Sequence, residues 1–191
     1  YIDDSNGNTI KFNNNIVDAN NAFKDCVSLI RSPSIDVYHS TVDLTNAFKG
    51  CTNIVTAMPI TGNSLSTINM QNTYSGCSKL KRVQGFNKVL NSVVKMQGTY
   101  SGCSKLEEVK DFMPTGTNSK SKFYLDETFK DCVSLTEITL NANVIESMDD
   151  IFVGCTGLAK ITFTNADSEF IKSATHATLD GDTLSYQIEF A

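Results

Sequence analysis

Six cysteines and two histidines are the residues of this 191-residue chain with the most versatile chemistry. Thiolates and imidazoles bind zinc, two thiols can form a disulfide, and a cysteine beside a histidine can act as a nucleophile with its base. The histidines, His39 and His176, lie at no regular distance from the cysteines. The cysteines themselves are regularly spaced, at positions 26, 51, 77, 103, 132 and 155.

This spacing argues against a zinc site and against nucleophilic catalysis. No two cysteines lie within five residues of each other, whereas structural zinc sites take close pairs of ligands. Disulfides between neighbouring units are an alternative, since parallel strands lie about 5 Å apart, but side chains in register do not point at each other. We therefore predict a ladder of reduced, buried thiols without metal or cofactor, in which the terminal Cys26 and Cys155 are the most exposed.

The residues around each cysteine also repeat. An aromatic residue stands three positions before each Cys, and a Leu or Ile stands three positions after it. Ala, Leu or Met stands seven positions before it, and four of the six units place Val or Ile six positions after it. The consensus M/L-x-x-x-F/Y-x-G/D-C-x-x-L-x-x-I/V predicts that one structural unit recurs six times.

Each unit combines two periodicities. Met148, Ile151, Phe152 and Cys155 follow the i, i+3, i+4, i+7 spacing of a helix face, and Ser147 is placed to cap that short helix. The alternation of residues 135–140 predicts a half-buried strand. Each unit should therefore contain a short strand, a loop and a short helix.

These units must stack, because one unit cannot bury its apolar residues alone. The sequence predicts an α/β repeat fold, a right-handed solenoid of about six coils around one parallel sheet, with Phe129 and Leu135 fully buried. Its strands are predicted near residues 30–31, 55–57, 81–84, 107–110, 136–140 and 159–163.

Residues 135–145 read L-x-x-I-x-L-x-x-N-x-I, which is the pattern of a leucine-rich repeat. Together with the recurring F/Y-x-G/D-C-x-x-L-x-x-I phrase, residues 16–164 resemble the BspA-like, or Treponema pallidum-type, leucine-rich repeats of bacterial surface proteins. The resemblance implies a horseshoe with the parallel sheet on its concave side. It also implies a secreted or cell-surface protein that adheres to other proteins or to cells.

The pattern divides the chain into three predicted parts. Residues 1–15, with a polar turn at Asn6-Gly7, form an N-terminal cap, residues 16–164 form the solenoid, and residues 165–191 form a C-terminal β-hairpin cap. An Asp180-Gly181 turn starts the hairpin, and a calcium loop at 180–182 is the weaker alternative because further ligands are lacking. A polar insertion at 113–122 should be a surface loop. Because the sequence opens on Tyr1, we expect a mature fragment without its targeting segment.

Charge and composition exclude several classes of function. A net charge of −5 gives no reason to expect nucleic acid, and the apolar runs are far shorter than a membrane span. The adjacent carboxylates Glu107-Glu108 and Asp149-Asp150 point apart on a strand, so they are poor acid/base pairs. The sequence has no Gly-rich phosphate loop, and we predict that the chain is not an enzyme.

The remaining candidate is a surface formed by outward residues of the predicted sheet. We predict a secreted or cell-surface module that binds a protein or glycan, such as one from a host, and the alternative is a structural stalk; the sequence leaves the oligomeric state open. Exposed aromatic residues would be binding anchors, unless irregular turns rotate them into the core. The candidate binding residues are Arg82, Gln84, Phe86, Glu108, Lys110, Phe112, Glu137, Thr139 and Lys160.

Overall fold

A computed structural model describes residues 9–12, 16–37, 41–57, 60–62, 67–85, 92–110, 112–114, 120–181 and 185–191. The chain is a parallel-sheet solenoid of about five turns with very little helix. Each turn contributes short strands to sheets on different sides of the stack, and the described strand pairs are parallel. The predicted parallel solenoid is confirmed, whereas the α/β repeat was wrong because the described parts of the coils contain turns in place of α-helices, with one short 3-10 helix at Ala142–Val144.

The most continuous sheet, here called the long sheet, has six strands that the sequence did not predict. Each is three residues long, and in the middle strands one buried residue lies between two that are more exposed. Those buried residues, such as Val42 and Val94, are completely enclosed. The strands are β2 (Ile16–Asp18), β4 (Thr41–Asp43), β7 (Thr67–Asn69), β9 (Val93–Lys95), β11 (Lys122–Tyr124) and β13 (Ile145–Ser147).

Five of the six predicted strands are present, but they belong to two separate sheets of three strands, here called half-sheets. At the predicted strand 30–31 the structure has only an isolated parallel bridge between Arg31 and Thr56. The first half-sheet contains β5 (Thr56–Ala57), β8 (Arg82–Gln84) and β10 (Glu108–Lys110). The second half-sheet contains β12 (Glu137–Asn141), β14 (Lys160–Thr164) and β15 (Gln187–Phe190). In the sequence, the polar insertion lies between β10, in the first half-sheet, and β12, in the second. A third sheet joins β1 (Thr9–Phe12), β3 (Ser34–Val37) and β6 (Ile60–Gly62), which places part of the predicted N-terminal cap in the stack.

The segment that connects the long sheet to the half-sheets is a pair of turns, so the predicted helix at 148–155 was wrong. Asp150 and Gly154 have φ angles of 55° and 76°, which an α-helix does not accommodate. Ser147, predicted as a helix cap, instead donates a hydrogen bond from its hydroxyl to Asp126 Oδ2 at 2.8 Å. Successive backbone N–H groups donate alternately to a carbonyl of the same turn and to a carbonyl of the next coil. The hydrogen bonds between coils take the place of those within a helix.

The left-handed residue before each cysteine explains the Gly/Asp preference of the consensus. Gly76 and Gly154 have almost the same φ, 74° and 76°. A Cβ on Gly154 would lie 2.1 Å from Asp131 Oδ1 of the preceding coil, whereas a Cβ on Gly76 would meet nothing within 4 Å. Where the preceding coil has aspartate at this position, its side chain therefore covers the glycine of the next coil.

We expect Gly154→Ala to destabilise the protein more than Gly76→Ala. Both substitutions incur left-handed strain of about 1–2 kcal/mol, but only the first forces the Asp131 carboxylate to move. Urea unfolding monitored by circular dichroism measures the difference. The double variant Asp131→Gly/Gly154→Ala should recover the Gly76→Ala value, and equal losses in the two single variants would contradict the packing described above.

The core is built from ladders of equivalent residues. Six aromatic rings stack from coil to coil, with centroids 5.2 to 5.9 Å apart, and Phe129 and Leu135 are fully buried as predicted. Buried threonine hydroxyls are satisfied as well, since Thr99 donates to the Met70 carbonyl of the preceding coil at 2.7 Å. The stacked rings are Phe23, Phe48, Tyr74, Tyr100, Phe129 and Phe152.

The C-terminal segment covers the last coil, but the predicted β-hairpin was wrong. Helices α1 (Ser168–Ser173) and α2 (His176–Asp180) follow the solenoid, and β15 pairs with β14 in parallel. The Asp180 side chain is fully buried and accepts a hydrogen bond from the Tyr186 hydroxyl at 3.2 Å. Gly181 has a φ of 69°, so it can end α2, and Asp180 has a structural role in place of the predicted turn or calcium loop.

Candidate interaction surface

Charged side chains on the first half-sheet are joined across neighbouring coils. Arg82 in β8 is opposite Glu108 in β10, and its Nε lies 3.1 Å from Glu108 Oε2. Lys110 also hydrogen-bonds to the Glu108 carboxylate and, with Arg82, holds the pKa of that carboxyl below its usual range. Exposed ion pairs of this kind contribute little to stability, so a partner can rearrange them at low cost.

The second half-sheet carries the other predicted residues. Glu137 is opposite Lys160 in the register of β12 and β14, and Lys160 Nζ lies 2.7 Å from Glu189 Oε2 in β15. Glu137 and Thr139 are exposed, and Thr139 pairs with Thr162. This side is therefore polar and mixed in charge.

The predicted row of binding residues is divided between the half-sheets. Arg82, Gln84, Glu108 and Lys110 are placed on the first half-sheet, whereas the residues from 137 onwards lie on the second. Phe86 lies outside the described residues, as does His39. The two groups therefore form separate surfaces.

The prediction that Phe112 is an exposed binding residue was wrong. Its side chain is 2% exposed, and its ring centroid lies 5.2 Å from that of Phe129 and 6.4 Å from that of Tyr100. The chain turns inward after β10, and the Pro114 carbonyl accepts a hydrogen bond from Asn141 Nδ2 at 2.6 Å. The start of the insertion therefore fills space between two coils, which is the alternative that the sequence left open.

Two exposed aliphatic residues were missed by the sequence analysis. Ile30 is 62% exposed and Val55 37%, and the Val55 N–H donates to the Ile30 carbonyl at 2.9 Å. The same hydrogen-bond pattern joins Lys81 to Val55 and Glu107 to Lys81. The side chains of Lys81 and Glu107 are also exposed. We call these four residues the outer row. They all stand four positions after a cysteine, and the change from apolar to charged residues at this position was visible in the sequence.

The cysteines form the predicted ladder of thiols. All six are free, and five are fully buried. Each buried thiol donates a hydrogen bond to the carbonyl oxygen of the aromatic residue in the preceding coil. The Sγ to O distances are 2.9 Å for Cys51, 3.2 Å for Cys77, Cys103 and Cys132, and 2.9 Å for Cys155.

Burial raises the pKa of these thiols, to about 11 for Cys51 and about 12 for Cys77 and Cys155. Cys26 is exposed, as predicted for the first coil. The prediction that Cys155 is exposed was wrong, because the C-terminal segment lies over its coil and brings Tyr186 within 6.4 Å of the Phe152 ring. Buried thiols with raised pKa values are poor nucleophiles.

We expect native protein to show one fast thiol and five slow ones towards a thiol reagent, because Cys26 is exposed and the others are enclosed. Denatured protein should have six thiols that react with the reagent without a reductant. Mass spectrometry of labelled peptides identifies the fast residue. A fast Cys155 together with a slow Cys26 would contradict this placement.

The described residues bear on two other kinds of site. No helix in the described part of the chain is long and apolar enough to cross a membrane. Within the same ranges, no group of three or more His, Cys, Asp or Glu side chains is placed to hold a metal ion.

The repeated unit identifies the family to which this chain belongs. The family model for the BspA type leucine rich repeat region matches residues 3–124 and 116–180, with six copies. The chain belongs to the BspA-type leucine-rich repeat family. Proteins of this family are commonly surface or secreted proteins of bacteria, and they are typically non-enzymatic. The thiol and aromatic ladders are the structural basis of the aromatic and cysteine positions that recur in this chain.

A solved structure shares the fold of this BspA-type chain. It is the crystal structure of a leucine-rich repeat protein from Bacteroides ovatus, with a TM-score of 0.55 and 20% sequence identity. The alignment covers 94% of this chain and 53% of that protein, so this chain spans about half of its length. No curated protein gave a significant match.

Proposed function

We propose that the chain is a non-enzymatic interaction module of a bacterial surface or secreted protein, and that it binds a protein partner through the outer row and the adjoining first half-sheet. The inward positions repeat from coil to coil because stacking requires them. The outward positions of the same coils vary in charge and polarity. Such variation on a rigid scaffold suits recognition.

The outer row is the observation that carries this proposal. Ile30 and Val55 are adjacent exposed aliphatic side chains, and Lys81 and Glu107 continue the row with charged groups. Arg82 and Lys110 lie beside it on the first half-sheet. The row thus has an apolar end and a charged end, and protein interfaces likewise combine apolar residues with polar residues beside them.

The chemistry of this surface favours a protein over a glycan. Sugar rings commonly pack on exposed aromatic faces, and Phe112, the described aromatic candidate on this side, is buried. Aliphatic side chains with nearby charges suit an apolar and charged protein surface instead. A glycan ligand is a different outcome of the test below.

A structural stalk is the second candidate, and the ion pairs favour it. Arg82 pairs with Glu108, Lys122 pairs with Glu146 at 3.0 Å, and Lys160 pairs with Glu189. Neighbouring coils thus neutralise each other's charges without a partner. A spacer needs this property and nothing more.

The experiment compares the wild-type chain with a variant carrying Ile30→Asp and Val55→Asp on a panel of extracellular proteins and on a glycan array. Val133→Asp is the matched control, because Val133 is 42% exposed outside the outer row. We expect wild type and control to bind a protein equally, and the double variant to bind it at least about tenfold more weakly. Saturable binding to neither panel would favour the stalk, and binding only to glycans would overturn the protein partner.

A further inference from the structure

After each strand of the long sheet, the backbone N–H two positions beyond the strand's last residue needs a hydrogen-bond acceptor. In the neighbouring strands β2, β4 and β7 the last residue is an Asp or Asn, and its side-chain oxygen accepts that bond, as in an Asx-turn. The side chain thereby takes the place of a backbone carbonyl. The donor and acceptor atoms are Asn20 N and Asp18 Oδ1 at 2.9 Å, Thr45 N and Asp43 Oδ1 at 2.9 Å, and Gln71 N and Asn69 Oδ1 at 3.2 Å.

The next strand of the sheet, β9, departs from this arrangement. Its last residue is Lys95, which is in register with Asn69 and whose ammonium group cannot accept a hydrogen bond. Among the described residues, none accepts a hydrogen bond from the Gln97 N–H. The side-chain oxygen of the same residue, Gln97 Oε1, is buried without a donor. Polar groups left in this state are uncommon in folded proteins and call for an explanation.

The side chains around the Gln97 N–H suit an anion. Lys95 is exposed, and within the described part of the chain it forms no ion pair. Its two neighbours in register, Asn69 and Tyr124, are neutral, so neither adjacent strand brings a carboxylate to this place. A backbone N–H and an ammonium group can donate to the same anion in charge-assisted hydrogen bonds, which are stronger than those between neutral groups.

The equivalent turn of the following coil is less suited to an anion. Asp126 stands there at the position of Gln97, and its own carboxylate would repel an anion beside its N–H. That carboxylate is engaged on the side away from Gln97, because it accepts hydrogen bonds from the Asp149 N–H at 3.0 Å and from the Ser147 hydroxyl at 2.8 Å. The turn after β9 is therefore the better place for an anion.

We infer that the turn after β9 binds a carboxylate group of a ligand, through the Gln97 N–H and the Lys95 ammonium group. The ligand oxygen takes the position that Asp43 Oδ1 has in its own coil, 2.9 Å from the backbone nitrogen of Thr45. A carboxylate fits because the repeat itself uses a carboxylate at this place. The site lies on the long sheet and is distinct from the outer row, so it does not depend on the function proposed above.

Titration of the isotope-labelled chain with sodium acetate, followed by amide NMR at constant ionic strength, tests this inference. We expect a saturable downfield shift of the Gln97 amide proton. In Lys95→Asp the new carboxylate takes the position that Asp43 has in its coil, so this proton should be shifted from the start and should not respond to acetate. Lys105→Asp is the matched control, because it changes the charge equally at another exposed lysine, and it should respond like the wild type.

Two results would overturn the inference: a Gln97 amide proton that does not respond to acetate in the wild type, or an equal loss of response in both variants. A response to inorganic phosphate but not to acetate would overturn the choice of a carboxylate. If Lys95→Asp does not fold, Lys95→Asn, which copies Asn69, should show the same loss of response.

A further arm of the titration distinguishes two sources of the carboxylate. It compares acetate with a short peptide of aspartate residues. Binding of the peptide at least about tenfold tighter than acetate would assign the site to acidic side chains of a polypeptide, since several carboxylates then act together. Equal affinities would assign it to small carboxylate ligands.

Discussion

Raising the pH from 8 to 10 should lower the free energy of unfolding by about 2.7 kcal/mol through the buried thiols of Cys77 and Cys155, with a further loss in the same direction from Cys103 and Cys132. Burial raises the pKa of Cys77 and Cys155 to about 12, and it raises those of Cys103 and Cys132 well above the ordinary value. In the unfolded chain a thiol has a pKa near 9.0. The unfolded state therefore loses protons in this range while the folded state keeps them.

The direction follows from proton linkage. Below pH 8 both states hold the thiol protons, and the stability is complete. Between pH 9 and about 12 only the unfolded state is deprotonated at Cys77 and Cys155, so each of these two thiols lowers the stability by about 1.4 kcal/mol per pH unit. Tyr74 and Tyr100, whose pKa values burial also raises, extend the loss above pH 10.

Urea unfolding at several pH values, with a reductant present, measures this loss. In Cys77→Ala the steep part of the curve should be shallower by about 1.4 kcal/mol per pH unit, even though the variant is less stable at pH 7. The thiolate absorbance of the buried thiols should rise only when the protein unfolds. A stability that stays constant up to pH 10 would show that the thiols are not enclosed.

Phe129→Ala should cost about 3–5 kcal/mol, the range for truncating a buried aromatic residue. The Phe129 ring is fully buried and is stacked between Tyr100 at 5.7 Å and Phe152 at 5.9 Å, with Phe112 at 5.2 Å. The truncation removes one ring from the ladder and leaves a cavity between two coils. Coils on either side then lose their aromatic contact.

Chemical denaturation of Phe129→Ala and Thr139→Ala provides the comparison. Thr139 is exposed on the second half-sheet, and its truncation should cost under about 0.5 kcal/mol. The tyrosine fluorescence of Tyr100 should also change in the first variant, because its stacking partner is lost. Similar losses at both positions would show that the strand register is wrong.

The recurring residues made the stack predictable. Phe129, Leu135 and Cys132 repeat at inward positions, and such self-similarity requires that each coil covers the next. The right-handed sense and the number of six coils stay predictions. What the sequence concealed is the long sheet, because a three-residue strand such as Val93–Lys95 holds one buried side chain and shows no period.

The turn segment was misjudged for a related reason. Met148, Ile151 and Phe152 have helical spacing, but two consecutive turns place the same residues inward. The left-handed backbone at Asp150 and Gly154 distinguishes the two turns from a helix. Similarly, the start of the insertion was read as a surface loop because of its polar composition, whereas Phe112 precedes it and packs inward. The exposed outer row depended on which way the residue before each strand of the first half-sheet faces, which the repeat alone did not decide.

The contact between Asp131 and Gly154 restricts how such a gene can be rearranged. Solenoids lengthen and shorten by duplication or deletion of whole repeats, and any coil could in principle follow any other. Here a coil with aspartate before its cysteine leaves no room for a side chain at the same position of its successor. Asp25 is followed by Gly50 in the same way. Recombination that places two aspartate coils in succession would bring their carboxylates together as well, so glycine coils must separate them.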